Sequence, residues 1–102
     1  MKLIEKNMEQ IRTLCRKYRV KSLSVFGSVL TPRFNKESDV DLVVDFEGVA
    51  PADYADNYFS LKDELETLFR RDVDLVEGNG ITNSIFRNNV NRTKLLIYGC
   101  NY

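Results

Sequence analysis

Three carboxylates and one turn carry the chemistry available to this chain. Gly27-Ser28 is followed, after ten residues, by Asp39-Val40-Asp41, and a third acid, Asp74, stands in the similar apolar setting Val73-Asp74-Leu75-Val76. Successive side chains of a strand alternate faces, so Asp39 and Asp41 point the same way with backbones about 7 Å apart. Two such carboxylates can converge on one cation, or bracket a pair about 3.5 to 4 Å apart. A like-charged pair beside apolar residues is unfavourable unless a cation compensates it, because desolvation and repulsion both oppose ionisation. If the strand carrying Asp74 neighbours the strand carrying Asp41, all three acids meet at one cleft. Gly27-Ser28 supplies the complementary chemistry. Glycine permits close backbone approach, and a serine hydroxyl with free turn amides donates to phosphate oxygens. The Gly-Lys-Ser/Thr of a Walker loop is absent,. Hard oxygen ligands without a cysteine cluster suit magnesium or manganese rather than zinc.

Composition narrows the chemistry further. The chain contains no histidine, which excludes a histidine base, a Ser-His-Asp triad and a His-rich zinc site. Fifteen basic and fifteen acidic residues give a net charge of zero, so no global field draws the protein to nucleic acid or membrane. Zero net charge instead favours self-association or a protein partner, as a homo- or hetero-oligomer. No apolar run approaches the 18 or so residues that span a bilayer. Cys15 and Cys100 lack motif spacing and read as reduced thiols of a cytoplasmic protein. Its 102 residues predict a single domain over 1–102 with a modest core.

The elements that must position the acids follow from periodicity. Leu3, Ile4, Met8, Ile11, Leu14, Cys15 and Tyr18 recur at three and four, which predicts one helix over Leu3 to Tyr18 with a buried stripe. Arg12, Arg16, Lys17 and Arg19 form its solvated side. Leu23 to Phe26 reads as a strand ending at Gly27. The run from Val40 to Phe46 reads as a second strand, with Val40, Leu42 and Val44 on a greasy face and Asp39, Asp41, Val43 and Asp45 on the other. Asp45 and Asp72 lie near strand ends, where solvated acids are ordinary. Asp53 is placed to cap a helix whose stripe is Tyr54, Tyr58, Leu61, Leu65, Leu68 and Phe69. Phe59 falls beside that stripe, which makes the Tyr54, Tyr58 and Phe59 region a candidate partner contact. A strand over Asp72 to Val76, a short helix around Asn83 to Val90 and a last edge strand over Leu95 to Tyr98 complete an α+β pattern with one small mixed sheet.

Gly27-Ser28, ten residues, then Asp39-Val40-Asp41 between apolar residues resembles the signature of the polymerase-beta-like nucleotidyltransferases. The leading helix, Ser60-Leu61-Lys62-Asp63-Glu64-Leu65-Glu66 ahead of Val73-Asp74-Leu75-Val76, and the closing Leu96-Ile97-Tyr98-Gly99 resemble the minimal branch of that family over nearly the whole chain. The resemblance implies a mixed sheet with the second and third strands adjacent. It implies that Gly27 and Ser28 contact nucleotide phosphates, that Asp39 and Asp41 hold two magnesium ions, and that Asp74 completes one metal site and helps activate the incoming hydroxyl. It implies ATP or another NTP as substrate, with AMP transferred to a hydroxyl of a small helical HEPN-type toxin. One stretch departs from the family: Thr31 and Pro32 stand where minimal members usually have Arg-Gly, which leaves Arg33 or Lys36 to grip the triphosphate. Proline also removes an amide donor from the loop. Two other readings stay open, a binding protein that neutralises its partner by contact alone and a nucleotidyltransferase acting on a small molecule. RNA as acceptor is disfavoured by the neutral charge and the lack of a basic strip interleaved with aromatics.

Overall fold

The computed structural model describes residues 2–26, 39–78 and 94–99. Gly27, Ser28, Arg33 and the helix expected around Asn83 to Val90 lie outside them. In chain order the described elements are α1 (Lys2–Lys6), α2 (Met8–Lys17), β1 (Val20–Phe26), β2 (Val40–Phe46), a 3-10 turn (Pro51–Asp53), α3 (Tyr54–Phe69), β3 (Val73–Glu77) and β4 (Leu95–Gly99). The strands form one mixed sheet in the order β3-β2-β1-β4, with β1 antiparallel to both β2 and β4 and with β2 parallel to β3. The α+β fold expected from the sequence is the fold observed.

The alternation along β2 decides how the sheet is layered. Val40, Leu42 and Val44 are fully buried and join Leu23, Val25, Val73 and Leu75 under Ile4, Ile11, Cys15, Leu61, Leu65 and Phe69 of the helices. Among the described residues the opposite face holds a small cluster of Phe26, Val43 and Val76. One face of the sheet is therefore bound to helices. The other carries the parity of Asp41 and Val43.

Two helix boundaries differ from the periodicity. The first helix breaks at Asn7, whose side-chain amide donates to the Leu3 carbonyl at 2.8 Å while its backbone N–H bonds Ile4 at 3.2 Å. An asparagine that bonds nearby backbone offers an alternative to the regular helical ladder, and apolar spacing does not register it. Asp53 occupies the N-cap position of α3, but its side chain makes no capping bond, because the 3-10 turn with Pro51 at its start leads into the helix instead. The α3 stripe itself is as expected, with Leu61, Leu65 and Phe69 buried. The Tyr18 hydroxyl donates to Glu64, and Lys17 meets the same carboxylate at 3.3 Å, so α2 and α3 are tied at their solvent edge.

Strand β1 starts at Val20, three residues earlier than its apolar run suggests, because Ser22 and Ser24 are buried within the sheet. The Ser22 hydroxyl donates to Asp45 at 3.3 Å. Asp45 is thus a half-buried structural acid rather than a solvated one, and it presses against Gly78, where an added Cβ would fall 2.5 Å from its Oδ1. At the far edge β4 closes on Gly99, whose φ of +83° and close approach to Lys21, with an added Cβ 1.9 Å from the carbonyl oxygen, admit glycine alone,.

Candidate active site

Asp41 and Asp74 are register partners across the parallel β2–β3 ladder. Each is the second residue of its strand, and parallel neighbours lie about 4.8 Å apart with in-register side chains on one face. Val43 and Val76, the next pair on the same face, share the small cluster there, which confirms the common parity. Asp39 immediately precedes β2, two residues from Asp41, and is exposed, as is Asp74, while Asp41 is half-buried. The same end of the sheet receives the close of β1, where Phe26 pairs with Asp41. The chain therefore leaves β1 toward Gly27-Ser28 at the acid end.

Of the three acids predicted from the sequence, register brings Asp41 and Asp74 together, and Asp39 stands two residues before Asp41 on the chain. Among the described residues no three carboxylates converge closely enough to enclose an ion as they stand. The donor set nonetheless fits a hard divalent cation: three aspartates, no histidine anywhere in the chain, and two carboxylates a single strand spacing apart. Magnesium takes one or two carboxylates with substrate phosphates rather than an all-protein cage.

Helix α3 lies along β3, an outer strand of the described sheet, and bonds it at every second residue. Glu66 accepts a hydrogen bond from the Val73 N–H at 3.1 Å, the Tyr58 hydroxyl donates to the Leu75 carbonyl, and the Tyr54 hydroxyl donates to Glu77 at 2.8 Å. Tyr58 and Tyr54 are thereby turned toward β3. Phe59, stacked edge-on against Tyr58, is left 59% exposed. Periodicity placed the tyrosines in the buried stripe and gave Glu66 no role. The available signal is a weak electrostatic one, since a carboxylate in the last turn of a helix is disfavoured by the helix dipole and gains from a nearby donor.

The titration of these groups yields a prediction. Burial, with the neighbouring Glu77 carboxylate, pushes the Tyr54 hydroxyl up to about 12, and burial pushes the Cys15 thiol up to about 12. Burial, with Glu77 and Asp74 nearby, also raises Tyr58. In each case the folded state favours the neutral form, so the stability these groups contribute is complete below pH 9. It is lost as pH rises from 9 toward 12, because the unfolded chain deprotonates first. Urea midpoints measured across this window should fall for the wild type and fall less steeply above pH 10 for Tyr54→Phe. Equal slopes in the two proteins would contradict the assignment.

Comparison with known proteins bears on the family and the fold. The family model described as polymerase beta, nucleotidyltransferase matches residues 9–102. A Methanocaldococcus jannaschii protein provisionally named protein adenylyltransferase MJ1215 is 33% identical over 84 residues, covering 74% of this chain and 94% of its own. A solved structure described, again provisionally, as a minimal nucleotidyltransferase superposes with a TM-score of 0.74 at 29% identity, over 90% of each chain. At 19% identity the fold is shared with a structure described as a tri-AMPylated Shewanella oneidensis HEPN toxin in complex with MNT antitoxin, with a TM-score of 0.65 over 94% of this chain and 72% of that one.

Proposed function

The chain belongs to the polymerase-beta-like nucleotidyltransferase family, and from that premise we propose that it transfers AMP from ATP to a hydroxyl of a partner protein, as the antitoxin of a HEPN-type toxin in the cytoplasm. The observation that carries the proposal is the in-register pairing of Asp41 with Asp74 at the end of the sheet where Asp39 also stands. The name of the M. jannaschii relative and the AMPylated toxin in the S. oneidensis structure favour a protein acceptor.

In this reading Asp39, Asp41 and Asp74 hold two magnesium ions, or manganese in their place, while Gly27, Ser28 and Arg33 bind the triphosphate. Bound metal supplies charge neutralisation on the phosphates and lowers the pKa of the acceptor hydroxyl. The acceptor oxygen bonds to the α-phosphorus as the bond to the bridging oxygen of the β-phosphate breaks. Pyrophosphate leaves, and the Asp74 carboxylate takes the hydroxyl proton. Phosphoryl transfer demands little covalent participation from protein groups, so positioning and electrostatics provide most of the rate. That requirement suits a chain without histidine.

The Thr31-Pro32 departure in the loop favours a second reading, neutralisation by binding alone. Incubation with α-labelled ATP, magnesium and the protein encoded beside this gene separates the two. Label on the partner supports transfer; an unlabelled complex in which the partner is neutralised supports binding alone.

A further inference from the structure

We propose that Tyr58 and Glu66 are positioning residues for Asp74, gripping the β3 backbone on either side of it so that its carboxylate stays in register with Asp41. The proposal rests on the reading of Asp74 as a metal ligand given above. Asp74 lies on an outer strand of the described sheet, with only β2 as its neighbour in the ladder. Successive residues of a strand direct their backbone groups to opposite sides. Asp72 turns its carbonyl to β2, where it accepts from the Val40 N–H at 3.1 Å, so Asp74 bonds inward while Val73 and Leu75 direct theirs outward. Those outward groups are the ones α3 takes. The Glu66 carboxylate accepts from the Val73 N–H at 3.1 Å, and the Tyr58 hydroxyl donates to the Leu75 carbonyl. The residues immediately before and after Asp74 are each fixed by a side chain of the same rigid helix.

The placement has a functional logic beyond holding an edge strand down. A site assembled by register is only as well defined as the strand that carries the ligand; loss of a group bonded directly to a ligand costs about 10- to 100-fold in metal affinity, and loss of a backbone grip on the residues beside the ligand is expected at the lower end of that range. Tyr54 supplies an internal comparison. It also ties α3 to β3, but through the Glu77 side chain rather than the backbone, three residues beyond Asp74 and at the end of β3 remote from the acids. If the bonds served only to dock α3, losing any one of them would be equivalent. If they position Asp74, Tyr54 is the one that does not matter to the metal.

Titration of the full chain with Mn2+ alone, read by the EPR signal of the free ion at a temperature well below every thermal midpoint, tests this. Tyr58→Phe and Glu66→Ala are expected to weaken Mn2+ binding about 10-fold or more. Glu66→Gln, which keeps an acceptor oxygen for the Val73 N–H, and Tyr54→Phe should remain within about twofold of wild type, whatever their thermal midpoints do. Wild-type affinity in Tyr58→Phe and Glu66→Ala, with binding lost in Asp74→Asn, would overturn the positioning role while leaving the metal site standing. An equal loss in Tyr54→Phe would overturn it too, in favour of general docking. If Asp74→Asn binds Mn2+ as wild type does, the reading of Asp74 as a ligand fails and the positioning role fails with it.

Discussion

Asp41→Asn is expected to reduce transfer of label from α-labelled ATP to the partner by at least about 10²- to 10³-fold, a loss of roughly 3 to 4 kcal/mol of transition-state stabilisation. The substitution keeps the shape and one oxygen and removes the charge. Asp41 is half-buried on the face away from the helices and contributes nothing to the main core, so the fold and the complex with the partner should persist. Because phosphoryl transfer depends on placing charge against charge, loss of the carboxylate falls mainly on the rate. Two measurements on one preparation check this: label on the partner, and co-elution of the two proteins on a sizing column. Loss of label with the complex intact is the expected outcome. Label retained at the wild-type rate would remove Asp41 from the chemistry.

Magnesium should raise the thermal midpoint of the wild type by about 6 to 11 °C when present at ten times its dissociation constant. An ion that binds only the folded state contributes about 1.4 kcal/mol under those conditions, and about 1 kcal/mol moves the midpoint of a domain of this size by some 4 to 8 °C. The double substitution Asp39→Asn with Asp41→Asn should abolish the rise, since it removes two of the three ligand charges at the site. Scanning calorimetry with and without magnesium checks the prediction. A wild-type midpoint that magnesium leaves unmoved would count heavily against the metal site.

How much of this was legible beforehand depends on the range of the interaction. The face parity of β2 could be read directly, because alternation is a local property: Val40, Leu42 and Val44 face the helices and Asp41 faces away, as their spacing requires. The stripe of α3 was legible for the same reason. The break at Asn7 was not, because it arises from one side-chain amide bonding a backbone carbonyl and leaves the apolar spacing intact. The first three residues of β1 were hidden by Lys21 and Ser22, polar residues in a strand that pairs on both sides. Asp45 read as a strand-end acid because nothing local reveals that Ser22 lies across from it.

The site divides along the same line. The spacing of Asp39 and Asp41 is a sequence property, whereas the pairing of Asp41 with Asp74 joins strands separated by the whole of α3. Periodicity does not specify such a pairing, and resemblance to the nucleotidyltransferases suggested it. The bonds from Tyr58 and Glu66 are more distant still from any pattern, since they depend on how a helix lies along a strand edge.

Anomalous diffraction from crystals of the full chain grown with Mn2+ and a non-hydrolysable ATP analogue tests whether Asp41 and Asp74 face one another to hold a divalent ion for nucleotide transfer. A manganese peak within coordination distance of both the Asp41 and Asp74 carboxylates is expected, with the analogue's phosphates on its open side. Manganese and nucleotide bound elsewhere on the molecule, with those two carboxylates free of metal, would contradict it.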